Sequence, residues 1–325
     1  MTPTHGRRPE STYCPKLWDE IGIDQNGKVY ACCCACALSF GDIHKAPLRR
    51  IWNSAAARKL RKDSLNGALK CYERCHVLQK AALPPPSPAK PLTSPYENLK
   101  ILTLRFGELC NIKCVMCVQD HRNTRSLGMA DLKPLDLRPF EGIELVGGEP
   151  LFIPAAREFF DYAAALGKKV SFISNGTLIN DEWARKIARH SRFLYVSLNA
   201  ATKKTHERVN VGSSWDKVMK SVRSIRKYRQ ALPDRVHLQG HMTVVPENIH
   251  EVPLFIRTFK KLGFDRVCFS HSEDSVKYLF EDARRLLALK EGTAAAYAAS
   301  KHKADINMRG LAPLLKAALG YHRHK

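Results

Sequence analysis

Residues 100–117 read KILTLRFGELCNIKCVMC, and this stretch decides both the fold and the chemistry expected of the chain. Its first part, residues 100–106, is a strand candidate. Three cysteines follow directly, Cys110, Cys114 and Cys117, with three and then two residues between them. Three thiolates can hold three irons of a cubane 4Fe-4S cluster, and the fourth iron is then left without a protein ligand.

A structural zinc site is the alternative for these three cysteines. Zinc sites usually recruit four ligands in paired short spacings. His121 is the only local candidate for a fourth ligand. A triplet of cysteines without a nearby fourth cysteine therefore fits zinc poorly.

Further strand-length segments follow the first one and alternate with longer amphipathic stretches. The strand candidates are residues 100–106, 143–146, 169–174, 193–198, 236–245 and 266–270. This alternation predicts repeated strand–helix units and a parallel sheet. With right-handed crossovers such units curl toward a barrel that need not close, and functional residues lie just after each strand. The expected fold class is α/β, a partial (β/α)6 barrel of the TIM type.

Two amphipathic stretches are expected to supply core packing and no site. In SWDKVMKSVRSIRKYR, residues 214–229, apolar side chains recur at helical spacing. These side chains are Trp215, Val218, Met219, Val222 and Ile225. Phe159, Phe160 and Leu166 are likewise expected to press a helix onto the sheet.

The triplet resembles the signature of the radical S-adenosylmethionine (radical SAM) superfamily, and the resemblance covers roughly residues 98–272. It implies that SAM chelates the open iron and is cleaved to a 5'-deoxyadenosyl radical. The second strand is followed by Gly147, Gly148, Glu149 and Pro150, as in the GGEP motif of that family, whose backbone contacts the amino group of SAM. Glycine suits this role because the main chain can then approach a ligand closely.

Polar residues after the next two strands resemble other SAM contacts of the family. Ser174 and Asn175 end the third strand, and Ser197 and Asn199 end the fourth. The resemblance implies contacts with the ribose or carboxylate of SAM, although Asn199 stands where the family often has aspartate and so lacks its charge. Arg208 resembles the basic residue that pairs with the SAM carboxylate. Ordinary loop polarity and a surface cation are the alternatives for these five residues.

A cysteine-rich segment precedes the predicted barrel. CPKLWDEIGIDQNGKVYACC at residues 14–33, IWNSAAARKLR at 51–61 and CYERC at 71–75 resemble the SPASM or twitch extension. That extension carries auxiliary clusters in many radical SAM enzymes, and in most of them it follows the barrel. The resemblance therefore implies a small N-terminal iron–sulfur domain in the reverse order.

One auxiliary 4Fe-4S cluster is expected in this domain. Gly27 and Cys32 reproduce the glycine-then-cysteine spacing of the extension. The resemblance assigns four thiolates, which would leave the cluster coordinatively closed: Cys14, Cys32, Cys71 and Cys75. Neighbouring cysteines cannot be ranked by spacing, so three more compete for the same place: Cys33, Cys34 and Cys36. A tetrahedral zinc site is the alternative.

Proline density marks the predicted domain boundary. The segment KAALPPPSPAKPLTSPYENL, residues 80–99, favours an extended, semi-rigid connector over a packed element. We therefore expect an auxiliary domain over residues 1–80, a linker over 81–98, the radical SAM barrel over 99–275 and a C-terminal helical extension over 276–325.

Composition bounds the partners and the compartment. The 53 lysines and arginines outnumber the 31 aspartates and glutamates, so the formal net charge is +22. Such a field favours acidic partners, including nucleic acid, an acidic peptide or an acidic flavodoxin or ferredoxin that donates electrons, and a solvated basic surface is the alternative. Nine of the eleven cysteines have a close neighbour in sequence, which indicates metal ligation in a reducing compartment. With no apolar signal segment or membrane span, a cytoplasmic location without a membrane partner is expected.

The expected function is that of a radical SAM enzyme that takes a hydrogen atom from its substrate. Relatives with this kind of extension often modify ribosomally made peptides, so a peptide is the first candidate. A small natural-product intermediate, a phosphorylated molecule or a nucleic acid are alternatives, as is a non-catalytic iron–sulfur electron carrier. Cys268, on the sixth strand candidate, is expected to fill space in the core, or to donate a hydrogen atom if it faces the barrel interior.

Overall fold

The computed structural model of the chain describes residues 13–32, 38–69, 71, 90–312 and 314. The chain divides into two compact units. The first unit comprises residues 1–105 and 127–143, and the second unit comprises residues 106–126 and 144–325.

The first unit contains a small mixed sheet and short helices. Its strands are β1 (Glu20–Ile23), β2 (Lys28–Tyr30), β3 (Ser39–Asp42) and β4 (Ile101–Arg105). Its helices are α1 (Leu48–Ile51), α2 (Ala55–Leu65) and α3 (Met129–Leu132), and 3-10 turns form at Pro15–Trp18 and Tyr96–Asn98. The strand order is β4-β1-β2-β3. The β1 strand runs parallel to β4 and antiparallel to β2, which is antiparallel to β3.

The second unit is built on a parallel sheet. Its strands are β5 (Lys113–Cys114), β6 (Gly142–Val146, from Glu144 onward), β7 (Val170–Ser174), β8 (Phe193–Ser197), β9 (Asn210–Val211), β10 (His237–Val244), β11 (Arg266–His271) and β12 (Ile306–Asn307). The order β12-β11-β10-β8-β7-β6 places sequential strands side by side, and the pairs from β7 to β12 are parallel. The β5 and β9 strands form a separate antiparallel ribbon.

Helices connect these strands. They are α4 (Pro154–Ala165), α5 (Asp181–His190), α6 (Lys203–Val209), α7 (Trp215–Arg229), α8 (Val252–Thr258), α9 (Glu273–Phe280) and α10 (Ala283–Ala299), with 3-10 turns at Ile249–Glu251 and Lys303–Asp305. Polar caps begin several of them: the Asn180 side chain accepts from the Trp183 N–H, and the Ser214 side chain accepts from the Lys217 N–H. All six strand candidates are confirmed, as β4, β6, β7, β8, β10 and β11.

One face of the sheet in the second unit is covered by helices. Phe172 of β7 contacts Phe160 of α4, with ring centroids 6.0 Å apart, and Phe269 of β11 contacts Phe255 of α8 at 6.1 Å. Because side chains alternate along a strand, Cys268 points to the opposite face from Phe269. The apolar stripe predicted for α7 also packs inward, with Val218, Met219, Val222 and Ile225 buried.

One core prediction is wrong. Phe159 and Phe160 are buried as expected, but Leu166 is 52% exposed. The helix ends at Ala165, and Leu166 is the cap residue that precedes Gly167, whose φ is 72°. A residue at this point leaves the helical repeat, so the period that buries its predecessors no longer applies to it.

The proline-rich segment differs from the connector expected of it. Residues 81–89 lie outside the described residues, but Pro91 and Pro95 accept hydrogen bonds through their carbonyls from the indole N–H groups of Trp18 (2.9 Å) and Trp52 (3.2 Å). Asn53 Nδ2 donates to Ser94 O at 2.9 Å. Segments without a regular hydrogen-bonding partner leave their carbonyls available in this way. Residues 91–98 therefore pack within the first unit.

The predicted helical extension also contains a strand. After α9 and α10, Ile306 pairs with Val267 and Asn307 with Cys268, so β12 extends the sheet. Residues 313 and 315–325 lie outside the described residues. In the part of the chain that the structure describes, no helix is both long and apolar enough to cross a membrane.

Candidate active site

The cysteine triplet lies in a loop that a short ribbon holds in place. Cys114 is part of β5 and pairs with Asn210 of β9. The backbone N–H of Val115 donates to Val209 O at 2.9 Å, and the N–H of Cys117 donates to Cys114 O at 3.0 Å. Cys110 and Cys114 are half-buried and Cys117 is exposed.

The three thiols lie close enough to affect one another's ionisation. Burial, followed by repulsion from Cys110 and Cys117, raises the pKa of Cys114 to about 12. Burial also raises the pKa of Cys110. Only the thiolate form binds iron. Three adjacent thiolates require a strongly cationic group between them, and the irons of a 4Fe-4S cluster fit that requirement.

His121 lies beside this loop, with Nε2 3.4 Å from Cys117 Sγ. It is the residue that the zinc alternative would use as a fourth ligand. Among the residues that the structure describes, no three histidine, cysteine, aspartate or glutamate side chains are arranged to hold a single metal ion.

The Gly-Gly turn after β6 packs directly on the residues that lead into the cysteine loop. Gly147 and Gly148 have φ values of 87° and 46°. The Gly148 N–H donates to Gln119 Oε1 at 2.6 Å, and the Glu149 N–H donates to Leu109 O at 2.9 Å. A Cβ added at Gly148 would lie 2.1 Å from Leu109 O. The motif that follows β6 and the motif that follows β4 are therefore in direct contact.

Glu149 is buried and joins this turn to the end of β7. Its Oε1 accepts from Ser174 Oγ (2.9 Å) and from the Leu151 N–H (3.1 Å), and its Oε2 accepts from the Asn175 N–H (2.7 Å). Burial raises the pKa of Glu149 to about 7. Its carboxylate is occupied by protein donors and so fixes the turn in place.

Ser174 and Asn175 occupy different positions at the end of β7. The Ser174 hydroxyl donates to Glu149 and accepts from the Gly176 N–H at 2.9 Å, so its hydrogen bonds lie inside the protein. Asn175 Nδ2 donates to Asn111 Oδ1 at 2.9 Å and lies 3.7 Å from Cys110 Sγ. Asn175 therefore contacts the cysteine loop directly.

Three asparagines join the ends of β8 and β10. Asn199 has a φ of 57°, and its Nδ2 donates to Asn210 Oδ1 at 2.8 Å while its Oδ1 accepts from the Thr243 N–H at 2.8 Å. Asn248 Nδ2 donates to Asn199 O and to Thr243 O. Asn210 Nδ2 donates to Ser197 O at 3.0 Å. All three asparagines are buried, and they position the loop after β8.

Arg208 is exposed and donates to the carbonyl of Glu247. Glu247 lines a cavity of about 570 Å3 beside Cys117. Residues from three segments line this cavity: Val115, Met116, Cys117, Val118, Thr243, Val245, Pro246, Glu247, His271, Ser272, Glu273 and Asp274. The cavity lies next to the cysteine loop and has the volume typical of small-ligand sites.

The structure brings together nearly all the predicted site residues of the second unit. The turn at Gly148 and Glu149 and the Asn175 side chain contact the cysteine loop, Ser174 is joined to that turn through Glu149, and Asn199 meets the β5–β9 ribbon through Asn210. Sequence reasoning missed three residues here: Gln119, Asn210 and Asn248. Gln119 lies two residues after the triplet, Asn248 lies four residues after β10 and Asn210 begins β9, so an amide near a motif or strand end was the signal available.

The cysteines of the first unit are only partly described. Cys14 is buried, and its backbone N–H donates to Ser64 Oγ at 2.8 Å. Cys32 and Cys71 are half-buried. Four more cysteines, Cys33, Cys34, Cys36 and Cys75, lie outside the described residues, so the proposed ligand set stays a prediction.

Cys268 is buried on the sheet face opposite to α8 and is paired in register with His241 of β10. Burial raises the pKa of its thiol to about 11. His241 Nε2 lies 3.1 Å from Ser270 Oγ, which donates to Thr243 Oγ1 at 3.0 Å. The hydrogen-atom donation considered for Cys268 stays a prediction.

Two family models match this chain. The model of the radical SAM superfamily matches residues 104–259, and that of the SPASM iron–sulfur cluster-binding domain matches residues 14–76. The chain is a member of the radical SAM superfamily. Within it, the chain belongs to the SPASM/twitch subgroup, and its auxiliary-cluster domain precedes the barrel. The radical SAM domain implies a 4Fe-4S cluster and SAM as cofactors, and the SPASM domain implies an auxiliary iron–sulfur cluster. The fold class is α/β, a partial barrel, as predicted.

Individual relatives are distant. A cysteine-type anaerobic sulfatase-maturating enzyme of Clostridium novyi is 26% identical over 193 residues, which cover 52% of this chain and 50% of that protein. The mycofactocin maturase MftC of Mycobacterium tuberculosis is 27% identical over 131 residues, 38% of this chain and 34% of that protein. The chain thus spans half or less of these relatives.

Among solved structures, SuiB of Streptococcus suis bound to SAM matches with a TM-score of 0.46 and 16% identity, over 64% of this chain and 46% of that chain. Native anSMEcpe with bound SAM and the Cp18Cys peptide matches with a TM-score of 0.39 and 18% identity, over 59% of this chain and 62% of that chain.

Proposed function

We propose that this enzyme cleaves SAM reductively at the loop of Cys110, Cys114 and Cys117 and that the resulting 5'-deoxyadenosyl radical takes a hydrogen atom from a peptide substrate. The observation that carries the proposal is the direct contact between this loop and the turn at Gly148, where Leu109 O and the added Cβ would be 2.1 Å apart. The cluster-binding loop and the turn expected to bind SAM are therefore in contact. An iron–sulfur protein that only carries electrons does not need a SAM-binding turn at its cluster.

The residues of the chain divide the work between them. Cys110, Cys114 and Cys117 would hold the cluster with one iron open to SAM, and the cluster would supply the electron that breaks a sulfur–carbon bond of SAM. The backbone of the turn at Gly147–Pro150 would bind the amino group of SAM. Glu149 would hold that turn rigid through its three protein donors.

The other predicted contacts differ in what they have available. Asn175 and Arg208 lie at the cysteine loop and beside the cavity near Cys117, where each could contact bound SAM. Ser174 and Asn199 use their side chains within the protein, so their contribution would be to position the strand ends. Ser197 lies next to them at the end of β8. The cavity beside Cys117 would then receive the adenosine part of SAM and keep it from water.

A peptide is the substrate that the relatives favour. Those matched include the bacteriocin biosynthesis protein AlbA, the mycofactocin maturase MftC and SuiB bound to its precursor peptide SuiA. A small natural product, or a phosphorylated or nucleic-acid substrate, is the alternative within the same chemistry. A flavodoxin or ferredoxin-type protein would deliver the electron.

The test measures 5'-deoxyadenosine after anaerobic reconstitution with iron and sulfide and addition of dithionite and SAM. Wild-type enzyme should form 5'-deoxyadenosine, and Cys114→Ala should form none. Cys268→Ala is the matched control, because it removes a buried thiol outside the loop and should leave SAM cleavage intact. Iron-loaded wild-type enzyme that neither binds nor cleaves SAM, even with candidate peptides, would exclude the proposal.

His121→Ala separates the cluster from the zinc alternative. A cubane held by three cysteines does not need this imidazole, so the variant should keep its iron and its SAM cleavage. A four-ligand zinc site would lose most of its metal affinity. Zinc bound by the wild type and lost from His121→Ala would contradict the cluster.

A further inference from the structure

A cavity of about 720 Å3 in the first unit has a strongly basic lining. It lies among β3, α1 and the start of α2, and four exposed cations line it: Lys28, Lys45, Arg50 and Arg58. Of the lining residues that the structure describes, one is a carboxylate, Asp42. Its Oδ1 is already engaged by His44, at 3.2 Å from Nδ1 and 2.9 Å from the backbone N. We call this feature the basic cavity.

Ion pairing distinguishes the four cations of the basic cavity from their neighbours. In the described part of the chain, no carboxylate forms an ion pair with any of the four, and Arg58 donates to the carbonyl of Asn53 at 2.8 Å. Neighbouring cations of the same unit do find partners, since Arg49 pairs with Glu97 at 2.6 Å and Lys59 pairs with Asp63 at 2.6 Å. Four cations and one carboxylate are thus described in this lining, and His44 engages the carboxylate, so positive charge is in excess and an anionic ligand would be drawn to it.

The shape and the lining of the basic cavity favour a short peptide segment. Its volume falls within the range of about 300–1,000 Å3 that is typical of ligand sites. A peptide segment can enter a cavity of this size, whereas the convex surface of a folded protein could not fill it. Single-stranded nucleic acid binds through exposed aromatic rings as well as cations. Phe40 is the one aromatic residue among the described residues of the lining, and it is 2% exposed and offers no ring for stacking. Arginines such as Arg50 and Arg58 are suited to carboxylates, which they bind in a two-pronged geometry.

We propose that the basic cavity binds an acidic segment of the peptide on which the enzyme acts, at a position distinct from the segment that is modified. The inference rests on the proposed peptide substrate and adds a feature to it: a glutamate- or aspartate-rich stretch. Carboxylates of this stretch contact Arg50, Arg58, Lys28 and Lys45.

Fluorescence anisotropy with the reconstituted full chain tests this site. The probe is a fluorescein-labelled peptide of alternating glutamate and alanine, and its glutamine counterpart is the uncharged reference. The wild type should bind the glutamate peptide and not the glutamine peptide, with an affinity that falls as salt rises. Lys45→Glu combined with Arg50→Glu should weaken binding roughly tenfold or more. The pair Lys45→Gln and Arg50→Gln should weaken it less.

The matched control is Lys62→Glu combined with Lys100→Glu. Both residues are exposed in the same unit and lie outside the basic cavity, and the charge change is identical. This control should bind the glutamate peptide as the wild type does. Equal losses in both charge-reversal pairs would show a general field and would overturn the proposal. If oligouridylate binds more tightly than the glutamate peptide, and this binding is lost in the variant with both Lys45→Glu and Arg50→Glu, the cavity is a nucleic-acid site. That result would also overturn the proposal.

Two further readouts separate this inference from the proposed chemistry. Circular dichroism establishes whether each variant is folded. If the variant with Lys45→Glu and Arg50→Glu is not folded, the variant with Lys45→Gln and Arg50→Gln is used for the test instead. SAM cleavage without peptide should be unchanged in all of them, because the basic cavity contributes nothing to that step. Peptide binding in a wild type that cannot cleave SAM would refute the radical chemistry alone. Active wild type that binds neither peptide would refute the basic cavity alone.

Discussion

Gly148 has no room for a side chain. Its φ is 46°, and an added Cβ would lie 2.1 Å from Leu109 O and 2.9 Å from Leu109 C. Leu109 immediately precedes Cys110, so a methyl group here must displace the main chain that leads into the cysteine loop. Gly167 also has a positive φ, 72°, but no atom lies within 4 Å of its added Cβ. The two glycines thus separate backbone strain from steric conflict.

Gly148→Ala should lose cluster loading and SAM binding, because Cys110 moves with Leu109. Gly167→Ala should keep both and lose about 1 kcal/mol of stability from its positive φ. Iron content, the visible absorption of the cluster and the spectral change on SAM addition measure the difference. A fully loaded Gly148→Ala enzyme that cleaves SAM at the wild-type rate would show that the turn and the loop do not depend on each other.

Asn199 shows which part of a site a sequence can and cannot predict. The motif placed it at the end of β8, but its role depends on its neighbours. Its amide donates to Asn210 and accepts from the Thr243 N–H. An aspartate could accept from Thr243 but could not donate to Asn210. The absence of the charge that the family often has at this position therefore follows from a packing partner eleven residues away, which no local pattern indicates.

His241 predicts a specific pH dependence of folding. Burial lowers its pKa to about 4, so the imidazole is neutral in the folded protein at pH 5, whereas in the unfolded chain it accepts a proton below pH 6.5. Its contribution to stability is therefore complete above pH 6.5 and is lost as the pH falls toward 4. Between pH 7.5 and pH 5 the wild type should lose about 1–2 kcal/mol more than His241→Gln. Urea unfolding at both pH values measures this, and equal losses in the two proteins would contradict an imidazole that stays neutral in the folded protein.

Among the elements, the strands were the most predictable and their ends the least. Six segments of strand length became β4, β6, β7, β8, β10 and β11, and each carries apolar side chains that the structure buries. The two-residue strand β12 carries no such signal and forms because Ile306 meets Val267. The packing of Pro91 and Pro95 could not be predicted either, because their carbonyls accept hydrogen bonds from two tryptophans at distant positions in the sequence. Long-range pairing decided each of these cases.

Helix α2 is anchored by a buried arginine, whose partners among the described residues are carbonyl and amide oxygens. Arg61 donates from Nε to Leu17 O (2.9 Å) and from Nη2 to Trp52 O (2.9 Å), and its Nη1 donates to Leu92 O (3.0 Å) and Asn53 Oδ1 (3.0 Å). Its guanidinium stacks on the Trp52 ring at 4.2 Å. Burial lowers the pKa of Arg61 to about 10, so it remains charged at neutral pH. One side chain thus joins three segments of the first unit.

Arg61→Met should therefore destabilise the protein by about 3–5 kcal/mol, since several buried carbonyls lose their donor at once. Arg58→Met, on the exposed side of the same helix, should change stability by no more than about 0.5 kcal/mol. Urea unfolding followed by circular dichroism compares the two. Similar small effects in both variants would show that water or other donors replace the guanidinium.

At the scale of the whole molecule, the excess of 53 basic over 31 acidic residues sets how charged partners approach. A net charge of +22 would attract the proposed acidic electron donor, such as a flavodoxin, from beyond contact distance. Salt screens such attraction, with a Debye length of about 10 Å at 0.1 M. Salt should have less effect on electron transfer from a small reductant, because that transfer does not require two large protein surfaces to align.

SAM cleavage driven by reduced flavodoxin should fall steeply as the salt concentration rises from about 50 mM to about 300 mM, because encounter is then screened. The same cleavage driven by dithionite should change much less, which controls for salt effects on SAM binding and on the fold. The initial rate of 5'-deoxyadenosine formation measures both. The proposed attraction requires the two salt dependences to differ, and parallel curves would mean that the positive field has no part in electron delivery. A steep fall with flavodoxin alone would show that docking of the protein donor limits electron delivery to the loop at Cys110. The net charge of the chain would then contribute to the rate of that delivery.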